Sequence, residues 1–202
     1  KNLNFSIDTS ENTAIITIKS FVYYDDQLPV FKSFIDSCFT QVEENKIENV
    51  VIDLRGNGGG DPFCASYLLQ YISQKPFHYY KKRKEHTDYY KSLEKKIKPF
   101  KNRFSGNLFV LINSRCASTS GHLISILKYH KIGILIGNET GATYSCNAYN
   151  ISFKLQHSEI DAHVATMTYQ TDVSGFEKNR GIFPDHVVTR SIEDVISGKD
   201  LE

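Results

Sequence analysis

Leu108–Thr140 reads LFVLINSRCASTSGHLISILKYHKIGILIGNET, and its changes of period decide the fold. An apolar run, Leu108–Ile112, gives way abruptly to small polar residues. A segment of helical period follows, and a second apolar run, Ile132–Ile136, is closed by Gly137. Short apolar runs bounded by turn formers read as buried strands, so the stretch is expected to be strand, hydroxyl-rich turn, helix, strand. Ser118 falls where the helix begins. The first N–H groups of a helix have no intrahelical partner, and they carry the positive end of its dipole. A hydroxyl placed there is a candidate nucleophile with oxyanion donors beside it.

The same grammar extends in both directions. Asn12–Phe21 alternates and is rich in Ile and Thr, which predicts a strand. Leu28–Asn45 spaces Val30, Phe31, Phe34, Ile35, Cys38, Phe39 and Val42 as one face of a helix. Ile47–Leu54 is a strand, Arg55–Asp61 a glycine loop and Phe63–Ile72 a helix. Phe77–Lys82 reads as a further strand. Lys81–Lys101 is strongly basic and reads as a solvated, partly helical insertion, the rival reading being a mobile lid or a patch for an acidic partner. Beyond Gly141, strands are expected over Ala148–Leu155 and Ala162–Tyr169, then a loop over Asp172–Pro184 and a short edge at Val187–Thr189. Ser191–Ser197 carries a capping-box pattern, with Ser191 as N-cap and Asp194 at N3. The order implies an α/β protein with repeated crossovers and additional C-terminal strands, in a single domain over residues 1–202.

Composition narrows the function classes. The net charge of +1 excludes a general nucleic-acid or membrane-surface binder. No apolar run approaches the roughly 20 residues of a membrane helix. Lys1–Ser10 is polar and reads as no signal peptide, so the chain is expected to be cytosolic or a mature or trimmed fragment, with Leu201-Glu202 as a cloning scar. Cys38, Cys64, Cys116 and Cys146 show no zinc spacing, and neither metal nor cofactor is expected. Cys38 and Cys64 read as core thiols; Cys116, two residues before Ser118, is a rival nucleophile.

Val50–Asp61, VVIDLRGNGGGD, is the second informative stretch. Its glycines match neither the spacing of a dinucleotide loop nor a P-loop. A plain tight turn accounts for them, and so does an oxyanion hole built from successive N–H groups. The Ser118 turn by itself is equally consistent with an ordinary N-cap.

Together the two motifs are specific. A strand ending in DLRGNGGG, a later strand leading into N-x-x-x-A-S-x-S, then IG-x-x-TG and the late Gly181-Ile182-Phe183-Pro184-Asp185 resemble the carboxyl-terminal processing (tail-specific) serine proteases, including their tricorn-like branch. The resemblance runs from about Ala14 to Val188. It implies a crotonase-like α/β core, a polypeptide substrate and an extracytoplasmic location in a bacterium, periplasmic or attached to the cell envelope. It makes Ser118 the nucleophile, with Gly58 or Gly59 and Thr119 as the oxyanion donors.

The sequence departs from the tail-specific pattern in one respect. The family's base is a lysine just after the TG, and Thr140-Gly141-Ala142-Thr143-Tyr144 contains none. The tricorn-like branch uses a histidine and a glutamate instead. Glu177, shortly before the late signature, fits the glutamate, and the branch's histidine belongs to a segment upstream of the first core strand. His122, four residues after Ser118 and on the same helical face, is the base candidate within the chain. His186 reads as a surface residue. His78, His86, His130, His157 and His163 show no partner pattern, and the sequons at Asn4, Asn138 and Asn150 carry no inference. The expectation is a serine endopeptidase core; the alternative is a non-catalytic peptide-binding domain with the protease fold.

Overall fold

The computed structural model describes residues 2–83, 88–189 and 191–199. The reading of His86 and the suggested scar at Leu201-Glu202 lie outside them.

A six-stranded sheet in the order β1-β2-β3-β6-β7-β10 forms the centre. Its strands are β1 (Leu3–Asp8), β2 (Thr13–Ile18), β3 (Asn49–Asp53), β6 (Asn107–Ile112), β7 (Ile134–Gly137) and β10 (His186–Val187). Only β1 runs antiparallel to its neighbour; the other pairings are parallel. The helices α1 (Leu28–Glu44), α2 (Pro62–Ile72) and α3 (Thr119–His130) are the crossovers. This is the expected α/β class. The strand β1 was not expected: Leu3, Phe5 and Ile7 alternate with Asn4, Ser6 and Asp8, and pack against the core as an edge hairpin with β2.

Burial follows the sequence periods. Ala14, Ile16 and Ile18 of β2 are fully buried, while Ile15 between them is exposed. Helix α1 buries Phe31, Ile35, Cys38, Phe39 and Val42. Val30, assigned to that face from spacing, lies in the first turn of the helix and is instead 53% exposed. Phe39 stacks on Tyr71 with ring centroids 4.5 Å apart, and Asp36 accepts hydrogen bonds of 2.6 Å from both Tyr67 and Tyr71, which locks α1 to α2. The whole-length strand expected over Phe77–Lys82 is shorter: β4 is only Phe77–His78, paired antiparallel with β5, Lys96–Ile97.

The basic insertion is less solvated than its charge suggests. A 3-10 helix, Asp88–Glu94, buries Leu93 to 2% exposure and packs Tyr90 on the core. Lys91 of that helix is exposed, as are Lys95, Lys96 and Lys98 after it. The late strands β8 (Ser145–Lys154) and β9 (Asp161–Gln170) pair with each other, as an antiparallel hairpin. The short helix α4 (Ile192–Ser197) has the expected capping box: the Asp194 N–H donates to Ser191 Oγ, and the Ser191 N–H donates back to Asp194 Oδ2.

Candidate active site

The sheet brings the two sequence motifs together. β3 and β6 are adjacent and parallel, with Asp53 opposite Leu111, so the loops leaving their carboxyl ends emerge side by side. Open α/β sheets place their ligand sites at such strand ends. Backbone bonds then weld the loops: the Ala117 N–H donates to the Asn57 carbonyl at 3.1 Å, and the Gly56 N–H donates to Asn113 Oδ1 at 3.0 Å. Lys19 and Arg55 both pair with Asp53 at 2.9 Å and anchor the glycine loop from below. Burial by itself would raise the Asp53 carboxyl, but the Arg55 and Lys19 hydrogen bonds outweigh it and hold it below its ordinary value.

Ser118 is the N-cap of α3 in a strained conformation, φ 52° and ψ −125°. Such a backbone in a non-glycine residue costs about 1–3 kcal/mol, which the surrounding structure must offset. Gly59 is what makes room. A Cβ there would lie 2.7 Å from Ser118 Cβ and 2.8 Å from the Ala117 carbonyl. The strained turn points Ser118 outward: the residue is exposed, and its hydroxyl has no hydrogen-bond partner among the described residues.

Of the donors the sequence suggested, Gly59 is already occupied. Its N–H is bound, at 2.8 Å, to the side chain of the fully buried Asn57. Asn57 in turn donates to the Ile18 carbonyl. Gly59 therefore shapes the turn and cannot supply a free donor. Gly60 does line a cavity with Ser118 and Thr119, and its carbonyl accepts from Thr119 Oγ1. The N–H of Thr119, first in its helix, has no side-chain cap. Gly58 is exposed, with open space where a Cβ would stand.

Two cavities flank Ser118. One, of about 270 Å³, is walled by Tyr24, Pro62, Tyr80, Tyr90 and Tyr169, and it includes His122. The other, of about 420 Å³, is polar and includes Thr143, Lys178 and Arg180. Cys146 and Asn147 line both. A larger cavity of about 670 Å³ lies at the opposite ends of the strands, near Gly106 and His130, away from this chemistry.

His122 shares the cavity but does not serve Ser118 in this arrangement. It is 2% exposed, and among the described residues neither ring nitrogen completes a hydrogen bond. Burial pushes it down to about 4, opposed only by the Tyr169 backbone, so the ring is neutral at physiological pH. Glu177 is exposed, and no described histidine is bonded to it. Cys116 is excluded as a rival: it is fully buried, bonded to the Leu54 carbonyl at 3.1 Å, and its thiol is raised by burial. Cys146 was missed, since no motif surrounds it. Burial pushes its thiol up to about 11 against a weaker effect of the Ser118 backbone N–H, so it is not a ready thiolate. His163 has an unforeseen partner, Ser152, at 2.8 Å on the exposed hairpin. Among the described residues no cluster of His, Cys, Asp and Glu could hold a metal ion, and no helix is long and apolar enough to cross a membrane.

Fold and site define an α/β protein that displays a strained serine at a helix start, packed against a glycine loop. The chain belongs to peptidase family S41, whose family model matches residues 12–188. Solved structures share the fold. A peptidase-like protein from Parabacteroides merdae superposes with TM-score 0.68 at 17% identity, covering 98% of this chain and 61% of the other. The photosystem II D1 C-terminal processing protease gives 0.66 at 16%, covering 93% and 48%. Mature CPAF gives 0.69 at 14%, covering 96% and 50%. The chain thus spans about half to three-fifths of the length of these structures. No curated protein matches the sequence.

Proposed function

We propose that the protein is a serine-type endopeptidase in which Ser118 attacks the scissile carbonyl. The observation that carries this reading is the strained Ser118 turn, pressed against Gly59 and open to two cavities beside Gly60 and Thr119. Attack forms the bond from Ser118 Oγ to the carbonyl carbon and sends the hydroxyl proton to a base. The Thr119 N–H holds the resulting oxyanion together with a donor of the glycine loop, Gly60 in place of Gly59. Each such donor is worth about 10²–10³-fold in rate. Collapse expels the amine, which takes the proton back, and water then releases the acyl group by the same steps.

No described residue bonds to the Ser118 hydroxyl, which supports the reading that the base is a histidine beyond these 202 residues, as in the tricorn-like branch. Glu177 remains the partner that the resemblance assigns to it. The alternative, a non-catalytic peptide-binding domain with the protease fold, is favoured by that same unpaired hydroxyl. Ser118→Ala in the complete protein is expected to abolish cleavage of an unfolded protein substrate, by 10³-fold or more. Labelling by a fluorophosphonate, mapped by mass spectrometry, separates the two readings: modification at Ser118 supports the peptidase, and its absence from the complete protein supports the binder. The extracytoplasmic bacterial location rests on the resemblance, and cell fractionation tests it.

A further inference from the structure

The tyrosine-walled cavity has a chemistry that Ser118 catalysis does not use. Four separate segments build it: Tyr24 precedes α1, Tyr80 follows β4, Tyr90 comes from the basic insertion and Tyr169 from β9. Tyr90 meets Tyr169 edge-on, with centroids 5.5 Å apart at 86°, and Tyr80 likewise at 6.4 Å and 76°, while Tyr80 and Tyr169 lie tilted at 35°. His122 stands edge-on against Tyr80, at 5.6 Å and 90°. Among the described residues no charged side chain lines the space, so a charged group entering it would lose water without gaining a counter-ion. The volume, about 270 Å³, is just below the roughly 300 Å³ at which small-molecule pockets begin, which suits a side chain better than a whole ligand.

The second observation is His122 itself. Buried polar groups nearly always have a partner, and an unmet one calls for an explanation. A neutral imidazole offers one N–H and one lone pair; here the Tyr169 backbone is the polar group that acts on the ring, yet among the described residues neither nitrogen completes a hydrogen bond, and the ring lines a cavity that opens beside Ser118. A hydroxyl both donates and accepts. Aromatic walls favour a ring that can meet them edge-to-face.

We propose that this cavity selects the residue whose carbonyl Ser118 attacks, and that it takes an uncharged aromatic side chain bearing a hydroxyl, as in tyrosine, whose hydroxyl is read by His122. The proposal rests on Ser118 as the attacking group, but the binding it describes does not need turnover. Its test is titration of the peptides acetyl-Ala-Ala-X into Ser118→Ala protein carrying ¹⁵N-labelled histidine. Tyrosine at X should move the ring nitrogens of His122 and bind about ten- to a hundredfold more tightly than phenylalanine, the usual effect of leaving a buried hydrogen-bonding group unmet. Glutamate and lysine at X should bind more weakly still. His122→Phe should abolish the tyrosine preference. Should that variant not fold, Ala148→Leu fills part of the same cavity and should weaken the binding of every X, with the tyrosine-induced shift of His122 reduced in step; an undiminished shift would overturn the proposal. Equal binding of tyrosine and phenylalanine, or His122 signals unmoved by tyrosine, would overturn the proposal. The two readings fail separately: tyrosine-selective binding by a complete protein that cleaves nothing removes the peptidase, and cleavage without preference at X removes the pocket.

Discussion

At the scale of single residues, the site is held by buried polar groups with incomplete partnerships, and Asp61 is the clearest. It closes the glycine loop, is fully buried, and caps α2 by accepting from the Phe63 N–H at 2.9 Å. Its second oxygen, Oδ2, has no partner among the described residues. Burial raises the carboxyl from its ordinary 3.8 to about 6, against a smaller lowering by the Phe63 N–H. An acid that is weaker folded than unfolded stabilises the fold below its unfolded value, and loses that contribution as pH rises through the folded one. The window is therefore about pH 4 to 6, and the shift of roughly two units corresponds to about 3 kcal/mol across it. Urea titrations at pH 4.5 and 7.5 are expected to show wild-type stability falling by a substantial part of that amount relative to Asp61→Asn, which keeps the cap acceptor and has nothing to ionise. Parallel behaviour of the two proteins over that range would show that Asp61 ionises as freely folded as unfolded.

Elements show why part of the molecule was legible in sequence and part was not. The strand, glycine loop and helix around Gly60, and the strand, turn and helix around Ser118, were legible because each is decided by a local period and local turn formers. Their meeting was legible only through the resemblance. That the Gly59 N–H is occupied depends on Asn57, whose own position depends on the Ile18 carbonyl in another strand. Such third-party bonds leave no pattern in sequence. The same holds for His122: helical spacing placed it on the face of Ser118, but only packing against Tyr79 and Tyr80 shows it as buried and unpartnered. The late Gly-Ile-Phe-Pro-Asp signature is also an element-scale device. The Ile182 N–H donates to Thr140 Oγ1 at 2.7 Å, and the Gly181 N–H donates to Glu139 Oε1 at 2.9 Å. Asp185 accepts from the Leu135 N–H at 2.8 Å and pairs with Lys128. The signature thus staples β10 to β7 and α3. Asp185→Ala is expected to lower stability by about 1–2 kcal/mol, the range for a partly buried N–H left unmet. It should leave fluorophosphonate labelling of Ser118 unchanged in the protein that remains folded, and loss of labelling at full stability would instead place Asp185 in the chemistry.

The whole molecule joins a rigid centre to a slender outlying piece, and the site lies where they meet. The core strands β2, β3 and β6 are buried and flanked by paired neighbours. Among the described residues the β8–β9 hairpin forms its own two-stranded sheet, tied outward at its base where the Lys81 N–H donates to the Gln170 carbonyl at 2.9 Å, and its outer half exposes Ile151, Phe153, Ile160 and Val164. An isolated two-stranded hairpin is marginal in water, so its order must come from its base. There Tyr144 and Tyr169 are buried, and the Thr171 N–H donates to the Tyr144 carbonyl at 2.9 Å. That base also carries Cys146, Asn147, Ala148 and Tyr169, which line the cavity next to Ser118. Local opening from the tip should therefore reach the cavity wall before it reaches the sheet. Native-state hydrogen exchange is expected to show a gradient along the hairpin, fastest near Lys154 and Asp161 and slowest near Cys146 and Tyr169, with β3 and β6 exchanging only through global unfolding. A peptide held in the cavity should slow exchange at the base and leave the tip unchanged, because only the base touches the ligand. Uniform protection along both strands, or exchange at the base as slow as in β3, would mean that the hairpin is stabilised along its length and that the cavity wall does not open from the tip.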